Sequence, residues 1–268
     1  MIKLVISDVD GTLVRKDKSL SDGNVAAAHR LAKAGIPLTL ISARPPSGIK
    51  WIGERMELPG PFGAFNGGII FDAAGHVLEH HRIDRGVAHD VLALLEKEPA
   101  VIRWLFADGD WLESETGSHT PNEIQSANVQ PITGPDFGDR IERADKIVAV
   151  SDDPDLLDRI EAELKALVGS RATVARSQTY YLDITAPLAN KGDGITALAR
   201  SFGVELSDVA AFGDQANDLP MFALAGYSVA MGQATDRVKA AAKDVALPND
   251  DDGVADAIDR FILKKGAA

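Results

Sequence analysis

Two carboxylates stand two residues apart in Asp8-Val9-Asp10-Gly11-Thr12, directly after the run Lys3-Leu4-Val5-Ile6-Ser7. The run reads as a short buried strand and Gly11 as the turn that ends it. Acids at a strand's C-terminal edge sit where open α/β sheets place their active sites. One carboxylate of such a pair can attack an electrophile or ligate a metal, while the other carries protons. Taken alone, the pair reads more simply as a polar strand end entering a turn. Three later segments supply the rest of one reaction.

Ser42 ends a second apolar run, Pro37-Leu38-Thr39-Leu40-Ile41, and the residues after it open a helix. A hydroxyl beside free backbone N–H groups makes a small anion cradle, although a Ser in this place is also an ordinary cap. Lys191-Gly192 opens another helix and brings an ammonium to free N–H donors, with Asn190 just before it. Gly213-Asp214-Gln215-Ala216-Asn217-Asp218 follows the apolar run 209–212, so Asp214 sits at a further strand edge and Asn217 and Asp218 on the first helical turn. Hard oxygen ligands of this kind suit Mg²⁺, which takes a few carboxylates and otherwise water or phosphate oxygens. Simple helix capping by Asp214 and Asp218 is the plainer reading of that segment by itself.

The composition of the 268 residues bounds the class. Hydrophobic residues make up 45%, enough for one large or two medium cores, and charged residues 25%. There is no cysteine, which excludes disulfides, thiolate metal sites and a Cys nucleophile and fits a reducing cytoplasm. The first apolar run is too short for a signal peptide, and no segment approaches the roughly 20 apolar residues that span a bilayer. A net charge of -12 argues against nucleic-acid and anionic-membrane partners, which reward clustered Lys and Arg. An acidic chain that handles a phosphate must neutralise it locally, with a cation, a lysine or a helix N-terminus.

The elements that position these groups alternate. Ser21 caps a helix carrying Val25, Ala28 and Leu31, which stops at Gly35. Helix 45–57, a short strand at 62–65 and the turn Asn66-Gly67-Gly68 lead into Ile69-Ile70-Phe71. Helix 191–202, strand 209–212, helix 216–225, strand 227–230 and a last helix over 253–264 repeat the rhythm. Such alternation means a mostly parallel sheet covered on both faces. Residues 84–187 differ in texture, with helices at 85–98 and 154–168 and extended stretches at 101–106, 146–151, 172–176 and 180–185. Segment 107–140 reads as loop. The fold expected is α/β, with an α+β module inserted into a parallel-sheet core formed by 1–83 and 188–268.

Taken together, Asp8-Val9-Asp10-Gly11-Thr12, Ser42-Ala43-Arg44, Asn190-Lys191-Gly192 and Gly213–Asp218 resemble motifs one to four of the haloacid dehalogenase superfamily. Tyr181-Leu182-Asp183-Ile184-Thr185, Ala230-Met231-Gly232-Gln233-Ala234 and Asp252-Gly253-Val254 resemble its Cof-type branch, subclass IIB, which carries a large α/β cap between motifs two and three. Ser-Ala-Arg stands where Thr-Gly-Arg is frequent, and Gly68 where Ala is common.

The resemblance implies a Rossmann-like core and a Mg²⁺-dependent phosphomonoesterase acting on a small phosphorylated metabolite, with a sugar phosphate favoured. Asp8 would form an aspartyl-phosphate. Asp10 would protonate the leaving oxygen and then deprotonate the hydrolytic water. Asp8, the Asp10 carbonyl and Asp214 would hold Mg²⁺. Ser42, Ala43, Arg44, Lys191 and Asn217 would contact substrate, with Thr12 and Asp218 in support. A phosphomutase on the same fold and a non-catalytic sugar-phosphate binder are the alternatives; Asp10, placed to activate water, and the intact nucleophile favour hydrolysis. The expected protein is a cytoplasmic monomer or small homo-oligomer.

Other candidates read as structure. His80-His81 lies in a hairpin without the spacing of a helical metal pair. His119, Trp104, Trp111 and Tyr180 read as cap core before specificity residues, Asn66 as a turn, and Met231 and Phe222 as core.

Overall fold

The computed structural model describes residues 1–263; Lys264, the last residue of the expected final helix, lies outside them. The chain opens with β1 (Leu4–Ser7), α1 (Asp22–Lys33), β2 (Leu38–Leu40) and α2 (Pro46–Arg55). Ser21 caps α1 by accepting the Asn24 N–H, and Pro46 starts α2, where its missing N–H costs nothing. A small antiparallel sheet follows: β3 (Phe62–Ala64), β4 (Ile69–Phe71) and β5 (Val77–His80).

The middle contains α3 (Arg85–Leu95), β6 (Ile102–Ala107), β7 (Asp110–Glu113), α4 (Thr120–Ala127) and β8 (Ile132–Thr133). It continues with β9 (Ala144–Val150), α5 (Pro154–Val168), β10 (Thr173–Gln178) and β11 (Tyr181–Thr185). The last part runs through α6 (Lys191–Ser201), β12 (Val209–Gly213), α7 (Leu219–Leu224), β13 (Tyr227–Ala230), α8 (Asp236–Ala241), β14 (Asp244–Val245) and α9 (Gly253–Ala257).

The first and last parts interleave in one sheet of order β14-β13-β12-β1-β2, every pair parallel. β1 lies inside the sheet between β12 and β2, its Leu4, Val5 and Ile6 fully buried between helices on both faces. A fully apolar strand is what a sheet covered on two sides requires.

The middle part makes a second sheet of order β10-β11-β9-β6-β7-β8, antiparallel except for β7 with β8. Its strands alternate between two faces. Leu105, Ile147, Ala149, Leu182 and Ile184 pack beneath α3 and α5, while Trp104, Phe106, Val148 and Tyr181 join the core on the other side. Trp104 and Trp111 are 1% and 0% exposed and meet edge to face with ring centroids 5.0 Å apart, as core residues. That second face is turned toward the C-terminal edge of the parallel sheet.

Segment 107–140 is not the loop that its Gly, Pro, Asp and Asn content suggests, for it holds β7, α4 and β8. Trp111 and Leu112 are buried in β7 by pairing with β6, and Pro121 sits in the first turn of α4. α4 is mostly polar because it is short and buries only Thr120, Ser126 and Ala127. The expected 85–98 helix stops at Leu95, ahead of Pro99, which disfavours helical backbone in the residue before it. Segment 216–225 begins as a tight turn over Ala216–Asp218 before α7 starts. The last helix continues past α9 as wider turns over Ile258–Leu263.

Candidate active site

Three C-terminal strand ends of the parallel sheet and the start of α6 bring their side chains to one place. Asp8 follows β1, Ser42 lies just beyond β2, Lys191 starts α6 and Asp214 follows β12. A parallel sheet aligns the C-terminal ends of its strands, so residues far apart in the chain meet at one edge. Asn190 caps α6, its side chain accepting the N–H groups of Gly192 and Asp193, which fixes where Lys191 leaves the helix.

Lys191 is the hub. Its Nζ donates to Asp8 Oδ1 at 2.6 Å and also to Asp218 Oδ1, and the side chain is 1% exposed. Asp218 turns its other oxygen to the backbone N–H groups of Asp214 and Gln215, at 2.8 and 2.9 Å. Thr12 Oγ1 donates to Asp214 Oδ1 at 3.0 Å, and Gln215 Nε2 to Oδ2 at 3.1 Å. Gly11 has φ +74°, and a Cβ there would lie 2.4 Å from Asp214 Oδ2. Only glycine allows the turn and the carboxylate to coexist.

These acids share more negative charge than one lysine offsets. Oxygens of Asp8, Asp214 and Asp218 lie within 4.8 Å of one another, and all three residues are buried. Burial, then the charges of Asp218 and Asp214, push the Asp8 carboxyl well above its ordinary range despite Lys191. Burial and Asp218 push Asp214 up to about 6. Burial alone would lower the Lys191 ammonium, but Asp218 and Asp8 outweigh it and hold the proton more firmly than usual. The cluster is chemically suited to a hard cation. Asp8 is bonded to Lys191 through one oxygen only, and the Asp214 oxygens accept from the neutral Thr12 and Gln215 side chains, whereas Asp218 is tied to the Lys191 ammonium and to two backbone N–H groups.

Asp10 stands apart from that cluster. Arg44 donates Nε and Nη2 to its two oxygens at 2.7 and 2.8 Å, and Lys18 Nζ donates at 2.8 Å. Burial would raise this carboxyl, but the Arg44 fork and Lys18 override it and hold Asp10 far below the usual range. The Arg44 side chain is 2% exposed and reaches back to Asp10 and the Gly48 carbonyl. Ser42 is buried, its Oγ accepting the Arg44 N–H at 3.2 Å.

A cavity of about 390 Å³ opens over these groups. Asp8, Asp10, Ser42, Ala43, Arg44 and Asn217 line its floor. Its roof comes from the second sheet and α4, and includes Asn122, Glu123, Lys146, Tyr180 and Tyr181. Thus the sequence-derived residues converge, with Thr12, Asp214 and Asp218 just behind the floor.

The roof is where sequence reading fell short. Burial pushes the Glu123 carboxyl up to about 7, with Asp10 and Asp183 adding to the effect and Lys146 and Arg44 opposing it. Thr120-Pro121 before Glu123 is a helix-start signal that would have placed it. Lys18 and Lys146 carry no such mark. Tyr180 stacks on His119 with centroids 3.8 Å apart, and His119 reaches Asp152 at 2.6 Å, so His119 is held as structure. His80, at the end of β5, meets Asp145 at 2.6 Å and ties the small sheet to β9.

A model of the haloacid dehalogenase-like hydrolases matches residues 5–258 of the sequence. The chain belongs to the haloacid dehalogenase-like hydrolases. It falls in the Cof-type branch and is a phosphatase of that superfamily. Among its haloacid dehalogenase relatives is the 5-amino-6-(5-phospho-D-ribitylamino)uracil phosphatase YwtE of Bacillus subtilis, 28% identical, with 97% of this chain and 98% of that protein covered. The HMP-PP phosphatase of Yersinia pestis is 27% identical over 89% of this chain and 87% of that protein. A haloacid dehalogenase-like hydrolase from Bacteroides thetaiotaomicron superposes with a TM-score of 0.88 at 29% identity, over 98% of this chain and all of that one. No helix among the described residues is long and apolar enough to cross a membrane.

Proposed function

We propose that this phosphatase hydrolyses a small phosphorylated metabolite through a phosphoryl group carried on Asp8, with Mg²⁺ as its cofactor. The observation that carries the reading is the buried Asp8–Lys191–Asp218 chain beside Asp214, opening onto a pocket roofed by a second sheet. Asp8 and Asp214, with the Asp10 carbonyl, would hold the cation, and Asp218 would act through Lys191. When bound, Mg²⁺ supplies positive charge that ionises the carboxylates and draws electron density from the phosphoryl oxygens.

The chain's own groups divide the remaining work. Lys191 holds Asp8 in place and offers an ammonium to the phosphoryl oxygens, while the Ser42 hydroxyl and adjacent backbone N–H groups bind the others. Asp8 Oδ is the attacking atom. Asp10, aimed by Arg44 and Lys18, would give a proton to the leaving oxygen as Asp8 attacks and take one back from the water that hydrolyses the phosphoryl-Asp8 bond, so the protons balance over one cycle. Arg44 therefore contributes by orienting Asp10 as well as by lining the pocket. The roof, from residues 84–187, excludes water and reads the leaving group. Substrates of the size named for the relatives above fit a cavity of about 390 Å³.

Phosphate release from sugar phosphates, other small esters and an aryl phosphate, with Mg²⁺ and then with chelator, tests the reading. Release that chelator abolishes is expected. Chelator-insensitive release would remove the metal, and no release by the folded protein would redirect attention to mutase activity or ligand binding.

A second expectation concerns pH. The folded, metal-free protein holds the Asp214 proton up to about pH 6, above the unfolded value of 3.8. The stabilisation from that uptake is present at low pH and is lost as pH rises through about 6. Mg²⁺ must displace the proton, so its effect has the opposite trend. The rise in Tm on adding Mg²⁺ should be large at about pH 8 and shrink toward about pH 5. An increment independent of pH across that window would count against carboxylates as the ligands.

A further inference from the structure

Two motifs of the C-terminal part, Ala230-Met231-Gly232-Gln233-Ala234 and Asp252-Gly253-Val254, stand outside the reaction pocket. Together with the loop between β14 and α9, they meet the chain where it leaves the pocket floor after Asp10. Residues 11–19 are a run of turns outside every helix and sheet ladder, with an isolated bridge between Asp10 and Val14. That run carries Lys18, at φ 68°, whose Nζ reaches back to Asp10 Oδ1 at 2.8 Å. Where the turns sit therefore decides how Lys18 meets Asp10.

Four hydrogen bonds hold the turns from the C-terminal side. Asn249, 5% exposed, donates Nδ2 to the Val14 carbonyl at 2.9 Å. Gln233 spans the two loops: Nε2 donates to the Gly11 carbonyl at 2.5 Å, and Oε1 accepts the Asn249 N–H at 3.1 Å. Asp250 Oδ1 accepts the Lys16 N–H at 2.9 Å, and Arg15 Nη2 donates to Asp252 Oδ1 at 3.0 Å. Three of these four take backbone groups of residues 11–16, the atoms that set the course of the turns. The loop is itself kept in shape at Gly253, whose N–H donates to the Pro248 carbonyl at 3.1 Å. A Cβ at that position would lie 2.2 Å from the Leu247 carbonyl oxygen.

We propose that Asn249, Gln233 and Asp250 are positioning residues for the acid–base group Asp10, acting through the turns that carry Lys18. This rests on the phosphatase reading and adds to it a task for the C-terminal motifs. A carboxyl group that serves first the leaving oxygen and then a water tolerates little displacement, since misplacement by ~1 Å can cost about 10²-fold. As the Asp8 Oδ–P bond forms, the ester P–O bond breaks and the proton of Asp10 passes to the departing oxygen. A basic alkoxide needs that proton, whereas 4-nitrophenolate departs without it. Loosening the brace should therefore act on alkyl esters and spare aryl esters.

The test measures kcat/KM, which spans the steps through departure of the alcohol, for 4-nitrophenyl phosphate and for the alkyl ester that the wild type turns over fastest. In the full-length protein, Asn249→Ala and Gln233→Met should each lower the alkyl-ester value by about 10- to 100-fold and the aryl-ester value by less than about threefold. Asp250 is exposed, so its variants keep the test open if Asn249→Ala folds poorly. Asp250→Ala should show the same selective loss, and Asp250→Asn, which still offers Lys16 an oxygen, should retain wild-type values. Equal losses on the two esters, as from a merely structural role, would overturn the proposal, and so would no loss on either. Wild-type turnover of the aryl ester alone would overturn it while sparing the phosphatase reading. Absence of turnover on every ester would sink both.

Discussion

Replacing Asp8 with Asn should stop turnover while leaving the protein folded and at least as stable without metal. The side chain keeps its shape but no longer offers an anionic oxygen to phosphorus, and loss of a nucleophile typically costs at least about 10⁴-fold in kcat. Stability should move the other way. Asp8 shares a buried site with Asp214 and Asp218, and burial and their charges already push its carboxyl up. A neutral amide relieves that repulsion, and Lys191 keeps Asp218 as partner. Phosphate release in a burst and steady-state assay, with thermal melts in chelator, checks both halves. Residual activity within about a hundredfold of wild type would remove Asp8 as the attacking group.

Lys191→Met should damage both stability and activity. Among the described residues its ammonium is the one cation bonded to the buried carboxylates of Asp8 and Asp218, which are 7% and 0% exposed in their side chains. Removing one partner of a buried ionic cluster leaves uncompensated charge and costs about 3–5 kcal/mol. The loss should be greatest at neutral pH and partly recovered in mild acid, where the stranded carboxylates take up protons. Turnover by the folded fraction should fall by about 10²–10³, as when a transition-state donor is removed. Denaturant titration at two pH values measures the first effect. A change below about 0.5 kcal/mol would mean the cluster is wetter and weaker than its geometry implies.

What could be read from the sequence was whatever local residue type dictates. Asp8, Asp10, Asp214 and Lys191 lie at junctions where an apolar strand or a capped helix start is written in a few adjacent residues. The parallel sheet then follows from alternation. The roof was harder to read because its chemistry depends on register. Lys146 and Asp183 sit inside strands, and nothing in Ala144–Val150 or Tyr181–Thr185 says which face turns toward the site until the strands pair. Glu123 was lost with α4, a short, polar helix inside a stretch whose composition imitates loop. Arg44 was assigned to substrate from its motif; its hold on Asp10 is a tertiary contact that spacing does not encode.

The sequence distances inside the site bear on how the protein comes into being. Lys191 is separated from Asp8 by 183 residues, and Asp214 from Thr12 by 202. β1 is made well before one of its two neighbours, β12, which comes after the whole second sheet. Until then β1 has an open edge, and Asp8 has no lysine with which to be buried. Contacts of such long range are slow to form because chain closure precedes any gain from them. The second sheet, whose strands pair mostly with near neighbours in sequence, can form during that wait. Catalytic competence is therefore acquired last, with the closing of the parallel sheet, and activity serves as a reporter of complete folding.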